Sequence, residues 1–133
     1  MNDLIIHKTD FTPAISFLAE KQTFEIEGVS RPENVSVFYA PIFDWITSYE
    51  TELYENREKG GERTVLRFSF KFSYLNSSSA KMIFKLLECL VQIKKLGYAV
   101  IIDWYYEDGD DMLFEDGQEL SEAIDLPFNY HIK

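Results

Sequence analysis

The stretch from Thr64 to Leu75 constrains the fold more than any other part of this chain. On an extended backbone Leu66, Phe68, Phe70, Phe72 and Tyr74 point one way, and Val65, Arg67, Ser69, Lys71 and Ser73 the other. A period of two with aromatics on one side predicts a strand that buries one face and wets the other. A sheet built on such a strand is covered by helices on one side only. That argues against a doubly wound sheet, whose strands are apolar on both faces.

The remaining elements fit around this strand. Leu4-Ile5-Ile6, Ala14 to Leu18 and the alternating run Thr23 to Val29 read as a short N-terminal β-meander. From Asn34 to Asn56 the period changes: Phe38, Ile42, Trp45, Ile46, Tyr49 and Leu53 make one helical stripe, capped by Ser36 or Asn34. Pro41 fits the first turn of that helix, and deeper inside it would kink it. A second helix carries Met82, Ile83, Leu86, Leu87, Leu90, Ile93 and Leu96, with Gly97 closing it. Tyr98 to Tyr106 reads as a central strand. A last helix from about Asp111 to Ile124 turns Leu113, Gly117, Leu120 and Ile124 inward. The expected fold is α/β: a mixed sheet of four to five strands with helices packed on one face, its strand-helix-strand units crossing right-handed between parallel neighbours. With 133 residues, 46% apolar, no repeat and no long linker, residues 1–133 read as a single domain.

Charge narrows the function. The chain carries 23 acids against 13 bases, a net charge of -10, and residues 96–133 hold 10 acids and one base. That field repels phosphate backbones and anionic membranes, so neither nucleic acid nor a membrane is an expected partner. The acidic end reads as a solvated face or as a docking surface that speeds encounter with a basic partner. The single cysteine, Cys89, lies near the second helix's apolar stripe and reads as a buried structural thiol in a reducing compartment. Met1-Asn2-Asp3-Leu4 lacks a basic leader, no run approaches a membrane span, and the expected location is cytoplasmic.

Catalytic patterns are weak. Asp103, Asp108, Asp110 and Asp111 suggest a metal-dependent enzyme, yet the register of an EF-hand loop fails and no phosphate loop accompanies them. His7 and His131 lie near opposite ends of the chain, and there is no G-x-S-x-G, glycine-rich phosphate loop or Cys/His cluster. The run Ser77-Ser78-Ser79 is more informative. It falls between a strand end and a helix start, where one hydroxyl caps the free N–H groups and the others are surplus. A phosphoryl group placed there faces the positive end of the helix dipole and adds about −1.5 to −2 charges to the surface.

Several segments together resemble the SiaC family of bacterial regulatory phosphoproteins. They are Thr12-Pro13, Gly28-Val29-Ser30-Arg31-Pro32-Glu33-Asn34, Phe38-Tyr39-Ala40-Pro41 with Trp45, Tyr74-Leu75-Asn76-Ser77-Ser78-Ser79, Asp103-Trp104-Tyr105-Tyr106-Glu107-Asp108, and Leu126-Pro127-Phe128. The resemblance spans nearly the whole chain in order. It implies a fold like that of the STAS-type anti-sigma-factor antagonists and a non-enzymatic part in partner switching. It also implies a serine/threonine kinase of ATPase fold and a PP2C-type phosphatase as partners, with a diguanylate cyclase as effector, which links the chain to cyclic di-GMP and biofilm formation. No cofactor is implied. The phosphoacceptor follows the Asn, which makes it Ser77 where the family commonly has threonine, with Ser78 as a competitor.

The expected roles follow. Ser77 takes the phosphate, Asn76 shapes the turn, Ser78 or Ser79 caps the helix, and Arg31 is a further candidate contact for partners. Trp104 and the row Phe68, Phe70 and Phe72 are expected in the core. The rival readings are a constitutive adaptor or dimerisation module whose serines only cap a helix, and the metal-dependent enzyme.

Overall fold

The computed structural model describes all 133 residues. Its chain order is β1 (Leu4–Ile6), β2 (Ala14–Leu18), β3 (Thr23–Ser30), α1 (Val35–Glu58), β4 (Val65–Leu75), α2 (Ser77–Lys95), β5 (Ala99–Tyr106), α3 (Asp111–Ile124) and β6 (Asn129–Ile132). The strands form one sheet in the order β1-β2-β3-β4-β5-β6. Pairing is antiparallel from β1 to β3 and parallel from β3 to β6. The mixed sheet agrees with expectation, but it has six strands where four to five are expected. The extra one is β6, whose Asn-Tyr-His-Ile sequence has neither an apolar run nor a clear alternation to mark it as a strand. It adds a parallel edge after α3, so each helix is the connection between two neighbouring strands.

The core lies on the face that β4 turns inward. Leu66, Phe68, Phe70 and Phe72 are all at most 1% exposed, while Arg67 and Ser73 reach solvent. Phe24 of β3 stacks on Phe68 at 4.3 Å between ring centres, and Trp45 and Tyr49 of α1 close over Phe24. Further along, Trp104 of β5 packs against Phe70, Phe72 and Phe128. Trp104 and the phenylalanine row are core residues, as expected. Gly117 explains how α3 comes so close: a Cβ there would lie 2.6 Å from the Trp104 ring, whose Nε1–H donates to the Leu113 carbonyl at 3.0 Å.

Two local features depart from the sequence pattern. Gly28 pairs with Phe72 but Val29 pairs with Tyr74, so Ser73 is a bulge residue with no partner on β3. The bulge reverses the alternation. Tyr74, expected inward, is therefore 49% exposed, and Leu75 takes the buried place. In α1, Asn34 is the cap, accepting from Val37 N–H at 3.1 Å, and Pro41 lies in the second turn. Pro41 removes the N–H that would reach the Val37 carbonyl, and both residues are on the solvent side. Tyr39 is fully buried whereas Phe38 is only half-buried. Cys89 is half-buried rather than buried, and burial together with Glu50 and Glu88 pushes its thiol upward, away from the reactive thiolate.

Candidate functional site

The turn from β4 into α2 sorts the three serines. The helix begins at Ser77, so the capping position falls to Asn76. Its Oδ1 accepts from Ser79 N–H at 2.8 Å and from the Ser78 hydroxyl at 3.2 Å. Neither Ser78 nor Ser79 is the cap, contrary to the reading of the sequence. Asparagine serves as well as serine at that position, and it stands one residue ahead of the run. The Asn76 N–H in turn donates to the Ser30 carbonyl at 3.0 Å, which fastens the turn to the end of β3.

Ser79 is fully buried and structural. Its Oγ accepts from the Ser30 hydroxyl at 2.8 Å, and Ser30 Oγ lies 2.7 Å from Tyr39 Oη. This chain of three hydroxyls joins β3, α1 and α2 beneath the turn. Burial pushes the Tyr39 phenol up to about 12, with Ser30 and Ser79 opposing the rise, so it stays protonated at neutral pH. Ser30 and Tyr39 are the site residues that the reading of the sequence passed over. The spacing of Tyr39 to Ile42 and Ile46 is the signal that places its side chain inward.

Ser77 is left at the surface. It is exposed, and its hydroxyl forms no hydrogen bond with the protein. The backbone N–H groups of Ser77 and Ser78, at the open end of the helix, are not used by the cap. An added anion at Ser77 therefore meets the positive end of a 19-residue helix and displaces no packed side chain. Ser78 is half-buried and already engaged with Asn76, which makes it the less accessible of the two hydroxyls. Arg31 follows Ser30 and is exposed, its guanidinium 4.9 Å above the Phe11 ring. It shares a shallow concavity with Val29 and Tyr74 at the same end of the sheet.

The acidic residues proposed for metal chemistry do not converge: no group of three or more His, Cys, Asp or Glu side chains is arranged to hold an ion. Asp103 is 1% exposed on the sheet face away from the phenylalanine row, held by Arg67 and by His131 Nε2 at 2.8 Å. Burial raises its carboxyl, and the bonds and charges of His131 and Arg67 overcome that and leave it below the usual carboxylate value. Asp110 is occupied as the cap of α3, accepting from Leu113 N–H at 3.0 Å, and Asp108 and Asp111 point to solvent.

Known proteins share this architecture. A curated, uncharacterised protein of Pseudomonas aeruginosa is 28% identical over 128 residues, which are 96% of this chain and 94% of that protein. The crystal structure of apo-SiaC from the same organism superposes with a TM-score of 0.82 at 27% identity, covering 98% of this chain and 99% of that one. A chain in the crystal structure of the diguanylate cyclase SiaD with its activator SiaC superposes with a TM-score of 0.84 at 27% identity, covering 98% of this chain and all of its own. The family model described as SiaC family regulatory phosphoprotein matches residues 6–133. This chain, a regulatory protein rather than an enzyme, belongs to the SiaC family of regulatory phosphoproteins.

Proposed function

We propose that this chain is the phosphorylated switch of a partner-switching system, with Ser77 as the acceptor. One observation carries the reading: Ser77 is the exposed first residue of a helix already capped by Asn76, and its hydroxyl is free. A kinase can reach it, and the product is stabilised by the helix end instead of disrupting packing. The writing enzyme in this reading is a serine/threonine kinase of ATPase fold, and the erasing enzyme a PP2C-type phosphatase. The effector is a diguanylate cyclase, which ties the switch to cyclic di-GMP and biofilm formation. Support for the effector is that SiaC, the Pseudomonas relative, is the activator in a complex with the cyclase SiaD.

Phosphosite mapping tests the acceptor. Protein isolated from its own host is expected to carry one phosphate on the tryptic peptide containing Ser77, absent in Ser77→Ala and retained in Ser78→Ala. A phosphate that persists in Ser77→Ala, or a wild-type protein that carries none, overturns the assignment.

A further inference from the structure

A cavity of about 270 Å³ opens at the end of the sheet opposite Ser77. Gln22, Thr64 and Tyr98, which line it, stand just ahead of the parallel strands β3, β4 and β5. The second half of α1 supplies Tyr49, Glu52 and Asn56. The 11 residues of β4 separate the cavity from Ser77 by about 35 Å. Its wall is braced from within. Asn56 Nδ2 donates to Tyr98 Oη at 2.8 Å and to the Glu62 carbonyl at 3.0 Å, and Tyr98 Oη donates to the Leu53 carbonyl at 2.7 Å.

Tyr49 is the group left without a partner. Its ring lies in the core against Phe24 and Trp45, and the residue is only 4% exposed. Its hydroxyl makes no hydrogen bond with the protein. Every side-chain oxygen sealed from solvent does have a partner, so this one reaches the open space of the cavity. Burial, with Glu52 and Tyr98 beside it, pushes the phenol upward and keeps it protonated at neutral pH. The rest of the lining is acidic. Glu20, Glu52 and Glu62 contribute to it, and no Lys, Arg or His does. One ammonium already meets this wall: the Met1 amine lies 3.5 Å from Glu52 Oε1. The three carboxylates do not gather around one point as a metal ion requires, so they suit a cation whose charge is spread along its length.

We propose that this cavity binds a short aliphatic diamine or polyamine. One ammonium donates to Tyr49 Oη and to Glu52, a second meets Glu20 or Glu62, and the carbon chain between them rests on Ala19 and Leu53. The volume lies below the roughly 300 Å³ at which drug-sized sites begin, which keeps the ligand small. Bound there, it ties the end of α1 to the starts of β3 and β4. The site neither needs nor excludes a phosphate on Ser77, so the two readings fail separately.

Amide NMR of the full-length protein, titrated with putrescine at constant ionic strength, tests the site. Saturable shifts are expected at residues 19–22, 52–56 and 62–64, with butylamine, which has one charge, about tenfold weaker. Tyr49→Phe removes one oxygen and no hydrogen bond within the protein. It is expected to keep the wild-type melting temperature and to bind putrescine about tenfold more weakly. Glu52→Gln weakens binding too, whereas Glu115→Gln/Glu119→Gln on the remote acidic α3 leaves it unchanged. Several results overturn the proposal: no saturable shift, shifts at α3 that track those at the cavity, equal affinity for butylamine, or full affinity in Tyr49→Phe.

Discussion

Asn76 decides what each of the serines behind it can do. By taking the cap it frees Ser77 and engages Ser78, while Ser79 turns inward to Ser30 and Tyr39. That the run Ser77-Ser78-Ser79 opens a helix is readable from the chain alone, because hydroxyls between a strand pattern and a helical stripe have few other uses. Which serine stays outside is not readable there. Ser79 is buried by Ser30, 49 residues earlier, and no local pattern reports a contact of that range. The buried hydroxyl chain carries a measurable consequence. Ser30→Ala leaves the Tyr39 and Ser79 hydroxyls short of a partner, and urea unfolding is expected to show a loss of about 1–3 kcal/mol. A change below about 0.5 kcal/mol contradicts the role given to this chain of hydroxyls.

At the scale of elements, the long periodic segments and the short N-terminal meander of β1 to β3 are legible, while the β4 bulge and the last edge strand are not. The stripes of α1, α2 and α3 and the alternation of β4 each reflect one buried face, which sequence period reports well. The bulge at Ser73 and the edge strand β6 depend on pairing with other strands, so Tyr74 points outward and His131 joins the sheet against expectation. Strand pairing also explains Asp103. The carboxylate on β5 is held by Arg67 from β4 and His131 from β6, which ties three parallel strands together on the face away from the phenylalanine row. Its folded-state value lies below the unfolded one, so its contribution to stability is complete above about pH 4 and is lost as pH falls through the folded value. Chemical denaturation across pH is expected to find Asp103→Asn less stable than wild type at neutral pH, with the gap closing in acid. A gap that stays constant down to pH of about 2 argues that the carboxylate's charge contributes nothing.

At the scale of the whole molecule, the fold separates two kinds of charge. The acidic excess gathers after residue 95, on β5, α3 and the turn between them, while α2 presents lysines beside an apolar groove and the exposed Ser77. A phosphoryl group on Ser77 acts where the surface is locally positive, so a change of about two charges alters that surface more than it would the acidic end. Such a switch needs little energy, since about 1.4 kcal/mol changes affinity tenfold. The most direct measurement compares the unmodified protein with protein carrying genetically installed phosphoserine at position 77. Each is titrated calorimetrically into a diguanylate cyclase of the same organism, with circular dichroism recorded on both forms. The account predicts matching spectra and binding at least about tenfold weaker for the phosphorylated form. Equal affinity of the two forms, or a phosphorylated form that has lost its fold, contradicts it.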